Sequence, residues 1–128
     1  MRGSATTTRA GFTLVELIAV IVIISVLASI AVGRFRSMKE KTIVAAMRSD
    51  LHNLMTAQEV YFLDNGERYA PEVSLLLPAY HASPGVFIVL QDVTSSTWSA
   101  TATANGTTVS CDVSRSSGKT TDGSAECQ

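Results

Sequence analysis

The chain has 128 residues, 46% of them apolar and 16% charged, with a formal net charge of −1. That length holds one small domain beside an apolar segment and leaves no room for a second domain. Near-neutral charge gives no electrostatic footprint for nucleic acid, so no specific nucleic-acid partner is expected.

Residues 1–11 carry Arg2, Arg9, a serine and three threonines, with no apolar periodicity and no reason to fold. An ordinary secretory signal places its apolar core before a small-residue cleavage site and loses that core on cutting. Here the order is reversed, because the small residue, Gly11, precedes the apolar run. Residues 14–32 are nineteen in number, with one charge, Glu16, and two hydroxyls, Ser25 and Ser29. As a helix they rise ~28 Å, enough to span a bilayer. A carboxylate at mid-membrane costs roughly 2.5 to 3.5 kcal/mol, so Glu16 reads as functional by default. The bland alternative is an interfacial charge that snorkels out to water.

The string Gly11-Phe12-Thr13-Leu14-Val15-Glu16, with a short basic leader before it and an unbroken apolar run after it, resembles the processing site of type IV pilins and the related pseudopilins. Close resemblance covers about the first half of the chain; the second half is similar in architecture only. The resemblance implies a prepilin peptidase that cuts between Gly11 and Phe12 and N-methylates the new amino-terminal Phe12. A cut there would leave the apolar helix on the mature chain. Removing residues 1–11 takes Arg2 and Arg9 away and leaves eight Lys/Arg against eleven Asp/Glu. Those two arginines would hold the leader on the cytoplasmic side by the positive-inside bias, with the rest of the chain periplasmic or outside. The resemblance further implies that Glu16 pairs with the amino terminus of Phe12 on a neighbouring subunit. A paired buried charge is roughly neutral where an unpaired one is expensive, so the pair sets how far one helix slides past the next.

Ser25, Ser29 and Gly33 fall at i, i+4 and i+8 on one ridge. Either they let helix backbones approach closely in a membrane, or the serines bond back to the carbonyl one turn earlier. Gly33 stands where many members of the family have proline, and a bend or melted turn near residues 31–36 is expected in a packed filament. After Val32, Arg34, Arg36, Lys39, Glu40 and Lys41 mark emergence into water. The helix continues as an amphipathic one: Val44, Met47, Leu51, Leu54 and Tyr61 follow a 3-4 spacing, interrupted by polar Gln58 and flanked by Met55 and Phe62. Asp64-Asn65-Gly66 is its stop signal. One helix over residues 12–63 would be ~78 Å long.

Residues 67–85 hold all three prolines and read as a loop with at most a short helix, in which Tyr80 and His81 are surface contacts. Residues 85–93 give an apolar strand. Residues 98–104 and 107–113 flank Asn105-Gly106, the strongest short hairpin signal. Pairing outward from a two-residue turn sets Ala104 opposite Thr107, Ala102 opposite Val109, Ala100 opposite Cys111 and Trp98 opposite Val113. All of these share an inner face, whose ends Trp98 and Phe87 would fill. The expected fold is therefore α+β, a long amino-terminal helix packed on a small antiparallel sheet, the pilin fold. Its parts are a leader (1–11), an apolar membrane and filament-core helix (12–35), an amphipathic continuation (36–64), and a loop, sheet and tail (65–128).

Cys111 and Cys127 lie far from the apolar segment. In an exported domain this small they are expected to form a disulfide, similar to the bounded loop near the carboxyl end of many pilins. Such a link is worth ~3 kcal/mol in the chain-entropy model. Lys119, Asp122 and Glu126 are candidates for contacts between subunits. Some pseudopilins hold calcium near this end, but Asp112, Asp122 and Glu126 match no compact ligand loop. No metal and no cofactor is expected.

An enzyme is not expected either. The histidines are His52 and His81 alone, no serine or cysteine sits in a nucleophile motif, and there is no phosphate loop or glycine fingerprint. The leading expectation is a structural pilin that polymerises with itself into a surface filament for adhesion, motility or DNA uptake. It would start as a single-pass inner-membrane precursor and end outside the cell. The resemblance implies the prepilin peptidase, an assembly platform and ATPases as partners. The alternatives are a pseudopilin of a type II secretion system, forming a short periplasmic fibre, and a membrane-anchored monomeric binding module.

Overall fold

The computed structural model describes residues 11–115 and 124–128. The leader residues 1–10, with Arg2 and Arg9, lie outside the described residues, as do Lys119 and Asp122. A single helix, α1 (Leu14–Asp64), is followed by a 3-10 turn (Val73–Leu76) and by strands β1 (Val86–Gln91), β2 (Trp98–Ala104), β3 (Cys111–Arg115) and β4 (Glu126–Cys127). The strands form one antiparallel sheet in the order β1-β2-β3-β4. This is the expected α+β architecture, an apolar amino-terminal helix with a small four-stranded sheet. The chain divides into two compact units, one ending at Ser37 and one starting at Met38.

In the first unit the helical part of α1 is exposed on every side. This stretch passes the length and apolarity test for a membrane span, and none of its apolar window is buried within the chain. A helix with no polar face has no solution in water except lipid or other protein. The Ser25 hydroxyl donates to the Ile21 carbonyl at 2.6 Å and the Ser29 hydroxyl to the Val26 carbonyl at 2.7 Å. Both serines thus satisfy themselves on their own helix, which hides their polarity without preventing close approach. Gly33 is helical in this single chain.

In the second unit Met47, Leu51, Leu54, Ala57 and Gln58 of α1 are buried. They share a core with Val86, Trp98, Ala100, Ala102, Cys111 and Val113 of the sheet and with Tyr69, Ala70, Leu76 and Tyr80 of the connecting loop. Gln58 interrupts the apolar stripe yet is fully buried. Its amide accepts from the Ala70 N–H at 2.8 Å and donates to the Ala70 carbonyl at 3.0 Å, so one side chain satisfies both groups of a buried peptide. The helix stops where expected. Gly66 has φ 67°, and the Glu67 N–H bonds the Phe62 carbonyl at 3.0 Å, the six-to-one bond of a Schellman cap.

Three expectations about the head are corrected. Tyr80 is buried, at 2% exposure, and is not a surface contact; its ring has apolar area to hide and its loop folds back onto α1. Phe87 does not fill the inner face but stands 56% exposed on the other one. The pleat sends Val86, Ile88 and Leu90 inward, and an unbroken apolar run carries no alternation from which to read that parity. The hairpin register differs by two residues: Ala102 pairs with Cys111, Ala100 with Val113 and Trp98 with Arg115. A slip of two keeps every side chain on its face, so Trp98, Ala100, Ala102, Cys111 and Val113 are inward as expected. The longer connection has its own partners. Asn105 N–H bonds the Gly85 carbonyl, the Thr107 hydroxyl donates to Glu40 at 3.2 Å, and Ser110 exchanges two backbone bonds with Gln128. Gly106 has φ 91° but Asn105 is not in the left-handed region, so the two-residue mirror-image turn does not form.

Candidate processing and assembly site

Gly11 and Phe12 are exposed and precede the helix, Phe12 at 80% exposure. The bond between them lies outside the helix and between two exposed residues. Thr13 is the residue on which α1 starts: its carbonyl accepts the Leu17 N–H at 3.2 Å. The Thr13 N–H and hydroxyl donate to the same Glu16 carboxylate oxygen, Oε2, at 2.9 and 2.8 Å, and the Glu16 N–H returns to the Thr13 hydroxyl at 3.3 Å. This is a reciprocal capping box, with a carboxylate in the first turn where the helix dipole favours it. Reading Glu16 as an assembly charge alone misses this cap. The Thr-x-x-Glu spacing ahead of an apolar run is the signal that reveals it. Glu16 Oε2 is engaged within the chain, while Oε1 makes no hydrogen bond among the described residues. The structure thus places Gly11, Phe12 and Glu16 within the first turn and just before it. Phe12 carries a backbone amide in the intact chain; an amine there would require a cut between Gly11 and Phe12.

The other expected pair is present as a bond. Cys111 and Cys127 form a disulfide between directly paired positions on β3 and β4, with their Cα atoms 4.0 Å apart. β4 itself, two residues long, was not legible in a tail of Ser, Gly and Thr. Asp112 and Glu126 lie opposite each other in the same ladder, where like charges repel, and the Thr101 hydroxyl donates to Asp112 at 2.6 Å. Asp122 lies outside the described residues. Among those described, no three His, Cys, Asp or Glu side chains gather in a way that could hold a metal ion.

His52 and His81 line one open depression of about 370 Å³ with Asn53, Thr56 and Tyr80. Asp50 is buried, and its carboxylate accepts from the Ser83 N–H at 2.8 Å and the Ser83 hydroxyl at 2.9 Å. The Tyr80 hydroxyl is buried without a partner, and its pKa is pushed up, first by burial and then by the Asp50 charge. These groups clamp the loop to the helix.

Two comparisons with known proteins bear on the chain. Residues 7–32 match the prokaryotic N-terminal methylation motif. Over 61 residues the chain is 46% identical to type II secretion system core protein G of Escherichia coli (strain K12), a match that covers 48% of this chain and 42% of that protein. The chain therefore spans less than half the length of the curated relative it matches. A methylation motif that runs into an exposed apolar helix, a relative that is a type II secretion system core protein and a helix-and-sheet fold agree with one another, and the chain is similar to type IV pilin-like proteins.

Proposed function

We propose that the chain is a structural subunit of a helical pilin-like fibre, cut between Gly11 and Phe12 and N-methylated on Phe12. The observation that carries this reading is the apolar helix of the first unit, exposed on all sides in a single chain and bearing one charge, Glu16, over residues 14–32. Such a surface is stable in lipid, and many copies can bury it against one another in a fibre core. Residues 1–11 are the leader, 12–35 the anchor and later the fibre interior, and 36–128 the part that faces water. The precursor rests in the inner membrane, as the apolar helix and the motif fit. In the fibre the Phe12 amine of one subunit pairs with Glu16 of the next, and the second unit coats the outside.

Of the two fibres in this family, the short periplasmic fibre of a type II secretion system is favoured by the relative, whose name places it in such a system. A surface pilus for adhesion, motility or DNA uptake is the second reading, favoured by the carboxyl-terminal disulfide loop. In either role the partners are further copies of the chain, a prepilin peptidase, an assembly platform and a motor ATPase. Electron microscopy of fibres sheared from cells, with mass spectrometry of the amino terminus of the chain, tests both steps. A chain that begins at methylated Phe12 and stays in the envelope, absent from sheared fibres, is the expected result for a pseudopilin. The same chain in long sheared fibres supports the pilus, and an intact Met1 in growing cells overturns the processing. A mature chain that forms no fibre even when overproduced leaves a monomeric membrane-anchored binding module in its place.

A further inference from the structure

The two cysteines of the disulfide sit in unlike surroundings. Cys111 is fully buried on β3, paired with Ala102 on one side and Cys127 on the other. Cys127 is half-buried on β4, the edge strand of the described sheet. Arg48 of α1 places its Nε 3.2 Å from Cys127 Sγ, and it makes no ion pair among the described residues. A guanidinium has donors and charge but no acceptor. Against a neutral disulfide sulfur it gains little; against a thiolate it gains a charge-assisted hydrogen bond. A thiol enclosed by apolar groups, as Cys111 is, is out of reach of a bulky oxidant and can react only with a sulfur brought beside it.

The geometry points to Cys127 as the site that attacks a disulfide-bearing oxidant when this bridge is made, with Arg48 as the positioning residue that stabilises its thiolate. The Cys127 thiolate attacks one sulfur of the oxidant, the oxidant's S–S bond breaks, and a mixed disulfide forms on Cys127. The other half of the oxidant leaves as a thiolate and takes up the proton that Cys127 gave up. Cys111 then loses its proton and attacks Cys127 Sγ, and the second half of the oxidant leaves as a thiolate and takes that proton. Two thiols of the chain are oxidised and one disulfide of the oxidant is reduced to two thiols. The opposite order would require the oxidant to reach a sulfur that has no exposed surface.

The test uses the full chain, reduced in detergent micelles, with oxidised glutathione as the probe and acid quenching before mass spectrometry. Cys111→Ala should collect the glutathione adduct on Cys127 readily, and Cys127→Ala should collect it on Cys111 at least about tenfold more slowly, as access and thiolate fraction both fall. In Cys111→Ala, the pH midpoint for alkylation of Cys127 should lie below the ~8.5 of an ordinary thiol, move up in Arg48→Met and return with Arg48→Lys. At pH 7 the Arg48→Met rate should drop by only about two- to fivefold, because the thiolate fraction falls while the greater nucleophilicity of a less acidic thiol offsets part of that fall. Equal rates at the two cysteines, faster reaction at Cys111, or a midpoint that Arg48→Met leaves in place would overturn the assignment. The two single-cysteine variants decide the order even if Arg48→Met does not fold.

Discussion

Thr13 and Glu16 hold each other across the first turn of α1, with two donors from Thr13 on one Glu16 oxygen and one bond returned. Glu16 therefore caps its own helix, and under the proposed function it also offers its charge to another subunit, so the two tasks are separable. Glutamine serves the capping box as well as glutamate does. Glu16→Gln should keep the Leu17 amide protected from hydrogen exchange in micelles while fibre yield falls sharply. Thr13→Val should do the reverse, losing about 1 kcal/mol of cap while the charge remains. Equal loss of Leu17 protection in both variants would sink this separation.

Gln58 is the side chain on which the connecting loop is hung. Gln58→Leu preserves volume but leaves the buried Ala70 N–H and carbonyl without partners. At about 1 to 3 kcal/mol for each of the two orphaned groups, the expected loss is about 2 to 6 kcal/mol in urea unfolding with an unchanged slope. A loss under about 1 kcal/mol would mean that water reaches Ala70 and the pair is replaceable.

Legibility followed the strength of the local signal. Helix α1 was readable almost to the residue, because a nineteen-residue apolar run, a 3-4 stripe and an Asn-Gly stop all agree. The methylation motif was readable for the same reason, since it is local. Gln58 and Asp50 were not recognisable as buried, because their partners, Ala70 and Ser83, are far along the chain and no local pattern names them. The sheet was legible in faces but not in register. Alternation fixes parity in β2 and β3, whereas the length of the β2–β3 connection depends on Thr107 meeting Glu40 and Ser110 meeting Gln128.

Tyr80 should make the fold sensitive to alkali. Its hydroxyl is buried, unpaired and held above its ordinary pKa by burial and by Asp50; Tyr69 is raised in the same direction by burial and then by Glu59. A tyrosine whose folded pKa is raised contributes full stability below the unfolded pKa of about 10. Above that pH the unfolded chain ionises first, so stability falls as pH rises. Denaturant unfolding should thus weaken between pH 9 and about 11, and Tyr80→Phe should flatten that fall. At pH 7 the same variant should be neutral or slightly stabilising, since it removes a polar group with no partner. An alkaline slope unchanged by Tyr80→Phe would show that its hydroxyl ionises as freely as in the unfolded chain.

Adjacent residues of β1 provide the sharpest check on the sheet. Phe87 is exposed opposite Thr103, while Ile88 is half-buried against the core opposite Ala102. Size alone would make Phe87 the costlier residue to lose, and a sheet of the opposite parity would agree. With the parity observed, Phe87→Ser should shift stability by no more than about 0.5 kcal/mol, as surface substitutions do. Ile88→Ser should cost about 2 to 4 kcal/mol, because it removes packed methyl groups and puts an unpaired hydroxyl against the core. Urea midpoints for the two variants decide the matter, and a larger loss at Phe87 than at Ile88 would reverse the face assignment of β1. Because Phe87 and Val89 lie together on the open face of an edge strand, Phe87→Ser should also reduce self-association of the detergent-solubilised chain.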